Sequence, residues 1–173
     1  MDIVTNHSSD EHEWFIKSVQ MEEPYTDYYV WSDPIGFNET GDPIPPNNWL
    51  SAFRGPAWKW VDQRQQFYLH QFLVKQPDLN YRNSAVREEM KGILRFWLDK
   101  GVDGIRVDAF DKLIEVEDIY QDEPIAIGGS NDPWDYNSLN HTLTLNQPET
   151  YAYLAEMREV LDGYTDRSVY MLL

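Results

Sequence analysis

Two side chains past the middle of the chain have the types and spacing for nucleophilic chemistry. Asp108 lies in the run Val102-Asp103-Gly104-Ile105-Arg106-Val107-Asp108-Ala109-Phe110, which reads as a buried strand. Side chains alternate across a strand, so Arg106 and Asp108 share one face. A guanidinium beside a carboxylate favours the ionised form. Presented at the C-terminal tip of a strand, such a carboxylate can attack an electrophilic carbon. A structural Arg–Asp pair would leave the same pattern, and these residues alone do not separate the two.

The elements that must hold this pair follow from periodicity. Met1 to Thr5 reads as a short strand ending at Asn6-His7. Residues 8–83 show no sustained period and carry Pro24, Pro34, Pro43, Pro45, Pro46, Pro56 and Pro77, all loop signals. A loop of that length inside a compact unit is expected to be a subdomain or a functional excursion. Ser84 can cap a helix to about Lys100, with Val86, Met90, Ile93, Leu94, Trp97 and Leu98 at helical spacing and Gly101 as the stop. After the strand ending at Asp108, Pro148 opens a second helix to about Asp162, with Tyr151, Leu154, Met157 and Leu161 as its apolar stripe. Ser168 to Leu173 reads as another buried strand. Strands alternating with helices imply an α/β fold with a parallel sheet and helical crossovers. Ligands of such folds bind at the C-terminal strand tips, where Asn6-His7 and Asp108 fall.

Composition narrows the ligand. The 173 residues carry a net charge of −16 and no cysteine. Nucleic acids and anionic membranes need a basic surface, so the charge argues against both as partners, and a neutral ligand fits. Without cysteine there is no disulfide or thiolate metal site. The opening Met1-Asp2-Ile3-Val4 lacks the basic region of a leader peptide, and no apolar run approaches the roughly 20 residues of a membrane span. Aromatics make up 14% of the chain and many lie between Tyr25 and Phe72. They suit either a packed core or a cleft for sugar rings, whose C–H faces stack on flat side chains.

Three segments together resemble the α-amylase family, glycoside hydrolase family 13. Asp2-Ile3-Val4-Thr5-Asn6-His7 is similar to its first signature and Gly104-Ile105-Arg106-Val107-Asp108 to its second. Gln76-Pro77-Asp78-Leu79-Asn80 is similar to a short signature of the branch holding oligo-1,6-glucosidases and α-glucosidases. Thr26-Asp27-Tyr28-Tyr29-Val30-Trp31 and Pro46-Asn47-Asn48-Trp49 resemble animal maltases, those of insects in particular. The resemblance implies a partial (β/α)8 TIM barrel: strand three at 1–7, an inserted irregular B domain at 8–83, and helix three through strand five at 84–173. It implies Asp108 as catalytic nucleophile and Arg106 as its partner. His7, Asp2 and Phe72 would be substrate-binding residues: His7 on the sugar, Asp2 supporting that site, Phe72 stacking nearby. Asn6 matches a residue that binds calcium in some α-amylases; that site is often missing in the α-glucosidase branch, so no metal and no cofactor is expected.

The implied function is that of a maltase, a retaining α-glucosidase acting on small carbohydrates through a covalent glycosyl-Asp intermediate. Ala109 follows the nucleophile, where α-1,4-preferring members carry a small residue, so maltose is expected over isomaltose. The family's general-acid Glu stands just beyond strand five and matches no residue here. The chain is therefore expected to be an internal piece of a longer enzyme, inactive by itself. Three N-x-Ser/Thr triplets start at Asn6, Asn38 and Asn140 and suggest a secreted protein, attached to a membrane only through segments outside this sequence. Other readings stay open. One is a non-catalytic heavy chain of an amino-acid transporter. Another is a binding role on an inactive scaffold. A third is a sucrose isomerase or trehalose-forming transglycosylase.

Overall fold

A computed structural model describes all of residues 1–173. Three parallel strands form its central sheet: β1 (Asp2–Val4), β7 (Gly104–Asp108) and β8 (Tyr170–Leu172), in the order β1-β7-β8. The register sets Asp2 beside Arg106 and Val4 beside Asp108. Helices α2 (Ser84–Asp99) and α3 (Pro148–Asp162) supply the crossovers and pack against each other.

Helix α2 forms because Val86, Met90, Leu94 and Leu98 recur every fourth residue and all are buried. Its cap is Asn83, one residue before the expected Ser84. The Asn83 side-chain oxygen accepts the Ala85 N–H at 2.9 Å, satisfying one of the free donors of the first turn. Gly101 ends the helix at φ +90°, a conformation a side chain would resist. Trp97 does not join the buried face; it turns outward beside Phe96. Helix α3 buries Thr150, Leu154, Met157 and Leu161, while the expected Tyr151 is half-exposed. The error has a simple geometry: Thr150 lies one turn before Leu154, and Tyr151 falls off that line. Strand β8 is also less buried than its apolar sequence suggests, with Tyr170 and Leu172 facing out at the sheet's edge.

Residues 8–83 are a compact excursion with elements of their own. Helix α1 (Glu13–Val19) is capped by His12, whose Nδ1 accepts the Trp14 N–H. Strands β2 (Trp31–Ser32), β5 (Trp58–Val61) and β6 (Gln66–Leu69) make an antiparallel sheet in the order β2-β6-β5, and β3 (Gly36–Phe37) pairs with β4 (Pro43–Ile44) as a hairpin. These strands are too short for period two to emerge, so they escape a reading by pattern. The buried Arg64 joins α1 to this sheet. Its guanidinium lies 4.2 Å from the Trp31 ring centroid and donates to the carbonyls of Ser18 and Thr26.

Most of the aromatic cluster is core. Tyr28, Tyr29 and Tyr68 pack with Phe15 and the central-sheet residues Ile3, Ile105 and Val107, and Trp49, Trp58 and Phe67 form a second cluster. Of the aromatics between Tyr25 and Phe72, Phe53 and Phe72 reach the hollow described below.

Candidate active site

The site stands at the C-terminal tips of β1 and β7. Parallel pairing places Asp2, Arg106 and Asp108 on one side. The Arg106 guanidinium donates to Asp108 at 2.9 Å through Nη2 and reaches Asp2 at 3.3 Å through Nη1. One cation thus bridges two carboxylates that are 106 residues apart in sequence order. Both Arg106 and Asp108 keep about half of their side chains exposed, 49% and 46%. Asp108 therefore has a held orientation and an open approach.

Immediately after Asp108 the backbone turns sharply. Ala109 sits at φ +56°, in the left-handed region, and opens the 3₁₀ turn Phe110–Lys112. An alanine in that region is strained, at a cost on the order of 1 kcal/mol or more. The turn directs the chain away from the sheet and brings Lys112 back to the hollow.

That hollow has a volume of about 440 Å³ and is lined by His7, Phe53, Phe72, Gln76, Asp108 and Lys112, among others. His7 and Phe72 meet with ring centroids 5.2 Å apart, and Phe53 extends the aromatic wall 6.1 Å beyond Phe72. Burial holds the His7 imidazole below the ordinary histidine range, against the opposing pull of the Asp108 carboxylate. Both His7 nitrogens are engaged: Nδ1 with Asn6 Oδ1 at 3.1 Å, Nε2 with Gln76 Nε2 at 2.8 Å. A flat apolar wall, a fixed carboxylate and convergent polar groups suit a ring-shaped polyol ligand.

Lys112 is the cation of the hollow. Its Nζ donates to the Tyr136 hydroxyl at 2.6 Å, and burial lowers its pKa. Tyr136 stacks on His141 at 3.5 Å, and His141 Nδ1 stands 2.6 Å from the buried Glu123. Beneath the hollow, Asn6 and Gln71 both donate side-chain amide hydrogens to the Lys112 carbonyl. No group of three or more histidines or carboxylates is placed to hold a metal. Deeper still, Asp78 is fully buried, and burial raises its pKa well above the usual carboxylate range; burial pushes Glu115 to about 7.

Of the five residues expected from sequence, His7, Phe72 and Asp108 line the hollow, whereas Arg106 and Asp2 are not on its wall and join it only through the hydrogen bonds of the Arg106 guanidinium to Asp108 and Asp2. Sequence reasoning missed Phe53, Lys112 and the support behind Lys112. Lys112 had a usable signal, since it lies just past the strand tip that carries Asp108. Phe53 had none, because it sits in a loop without period. A second hollow of about 420 Å³, between Asn48, Ile125, Asn131 and Leu139, holds no titratable side chain.

Residues 1–172 match the family model described as alpha amylase, catalytic domain. A salivary alpha-glucosidase of Anopheles gambiae is 52% identical over 170 residues, which cover 96% of this chain and 28% of that protein. Maltase A2 of Drosophila melanogaster is 50% identical over 167 residues, 95% of this chain and 29% of the maltase. Among solved structures, the alpha-glucosyl transfer enzyme XgtA superposes with a TM-score of 0.85 at 41% identity, covering 98% of this chain and 32% of that one. The chain thus spans less than a third of the length of each of these relatives.

Proposed function

Because the chain belongs to the α-amylase catalytic-domain family, we propose that it forms part of a retaining α-glucosidase, a maltase releasing terminal α-1,4-linked glucose from small sugars. The observation that carries this is Asp108, held by Arg106 yet open to a hollow with an aromatic wall. In this reading β1, β7 and β8 are barrel strands three, four and five, and residues 8–83 are the inserted B domain.

The chemistry follows from the geometry. Arg106 holds the Asp108 carboxylate by a 2.9 Å hydrogen bond and fixes its orientation at the hollow. Asp108 attacks the anomeric carbon and forms a glycosyl ester as the leaving oxygen takes a proton from a second carboxyl group, roughly 5 Å away in retaining enzymes. Water then attacks the ester with that group as base. No residue among 1–173 is assigned the acid. His7 and Phe72 hold the sugar, and Asp2 braces Arg106 from the far side. Small Ala109, also on the wall, leaves room beside the leaving sugar.

The name of the mosquito relative, a salivary enzyme, supports an extracellular setting. Asn38 and Asn140 are exposed and able to carry glycans, whereas Asn6 is buried at 1% exposure and is not. The transporter heavy-chain reading is weaker, because Arg106 and Asp108 are both present and paired. Glucosyl transfer instead of hydrolysis would use the same nucleophile.

Replacing Asp108 by Asn in the full-length protein tests the proposal. Maltose turnover is expected to fall by several orders of magnitude with the fold retained, since the nucleophile has no substitute. Turnover close to that of the parent would refute it.

A further inference from the structure

We infer that Gln76 is a positioning residue, whose side-chain amide fixes His7 as the Nδ1–H tautomer and leaves Nε2 as a hydrogen-bond acceptor at the hollow. This rests on the α-glucosidase reading only for its kinetic consequence.

The assignment follows from backbone groups that have no ambiguity of their own. The Leu73 N–H donates to Gln76 Oε1 at 3.0 Å. The other end of that amide, its NH2, therefore faces His7 Nε2 at 2.8 Å. An amide NH2 donates and does not accept, so this contact is a hydrogen bond only when Nε2 carries no proton. A neutral imidazole then holds its proton on Nδ1. The opposite side of the ring gives the same answer independently. Asn6 turns its NH2 toward the Lys112 carbonyl, which leaves Oδ1 facing His7 Nδ1 at 3.1 Å, and Oδ1 can only accept. The other neutral tautomer would set donor against donor at Gln76 and acceptor against acceptor at Asn6. The doubly protonated ring would still clash with Gln76. One state satisfies all four groups.

The consequence concerns which ligand atoms His7 can meet. A group that reaches Nε2 must donate a hydrogen and displace that of Gln76. A sugar hydroxyl can do so; an ether oxygen cannot. The same relay ties the turn at 73–76 to the tip of β1 and to the turn after Asp108. Gln76 thereby couples the excursion to the orientation of the site without touching Asp108 in this structure.

The substitution Gln76→Glu tests the inference. A glutamate keeps an acceptor for the Leu73 N–H and offers His7 an acceptor where the amide gave a donor. Two-bond 1H–15N spectra of the histidine-labelled full-length protein, with the His7 signal identified by its loss in His7→Asn, read the tautomer directly. The parent is expected to show Nδ1 protonated and Nε2 bare, and Gln76→Glu to show Nε2 protonated. A parent with protonated Nε2, or a variant with an unchanged His7 spectrum, overturns the inference. In the kinetic arm, kcat/KM for maltose is expected to fall on the order of tenfold to a hundredfold, the scale of losing an orienting partner. An unchanged kcat/KM beside a changed tautomer would deny Gln76 its positioning role. Failure of the α-glucosidase reading would appear separately, as an active Asp108→Asn enzyme, and would leave the spectral result to decide the tautomer.

Discussion

At the scale of single residues, two side chains near the site carry opposing demands. Glu115 is fully buried and its pKa is raised from 4.5 to about 7. The folded state therefore holds the proton more tightly than the unfolded chain does. This contribution is complete below about pH 4.5 and is lost as pH rises through 7. The difference in pKa corresponds to on the order of 3 kcal/mol. Glu115→Gln keeps the shape and removes the titration. Its melting temperature is expected to decline less than that of the parent between pH 5 and pH 8, and parallel curves would contradict the account. Ala109 meets a different demand, since its position after Asp108 requires a left-handed backbone. On the proposed α-glucosidase reading, Ala109→Val adds bulk beside the leaving sugar and is expected to shift the maltose-to-isomaltose ratio of kcat/KM toward isomaltose by roughly 10-fold or more. Because β-branched residues resist this conformation, the same variant is expected to lose about 1–3 kcal/mol of stability. A parent enzyme that prefers isomaltose would sink the specificity argument, and an unaltered denaturant midpoint would sink the strain argument.

At the scale of elements, the buried face of α2 shares one core with β1 and β7 beneath the site. Leu94 is buried at 1% exposure in the same cluster as Ile105, Val107 and Leu161. Leu94→Ala is expected to cost about 2–5 kcal/mol in urea unfolding. The outward Phe96→Ala, from a residue 54% exposed, is expected to cost far less. Equal losses would mean that the outer face of α2 is also packed. The same elements show what the sequence alone can reveal. Helices α2 and α3 were legible to within a residue because four apolar positions repeat over three turns. Trp97 and Tyr151 were misplaced because an apolar side chain beside a stripe is indistinguishable from one on it until the neighbours are known. The two-residue strands of the excursion were invisible to period two. In the site, Asp108 and Arg106 were readable from alternation, and His7, Asp2 and Phe72 from family signatures. Phe53 joins Phe72, and Lys112 joins Tyr136 and through His141 reaches Glu123, by contacts that no local pattern encodes.

At the scale of the whole molecule, the central sheet ends in two unpaired edges, β1 and β8, with Val4, Tyr170 and Leu172 exposed. Exposed apolar parallel edges favour association. The polypeptide 1–173, produced alone, is therefore expected to self-associate in size-exclusion chromatography and to show no α-glucosidase activity above background. A monomeric, cooperatively melting and active preparation would contradict both expectations. The central claim, that Asp108 forms a glycosyl ester, has its most direct test in trapping that ester. A fluorinated α-glucosyl fluoride slows hydrolysis of the covalent intermediate, and peptide mass spectrometry then locates the sugar. After incubation of the full-length protein, the account predicts one glucosyl label on the peptide containing Asp108, absent from Asp108→Asn. A label on another carboxylate, or steady turnover without any label, would contradict it.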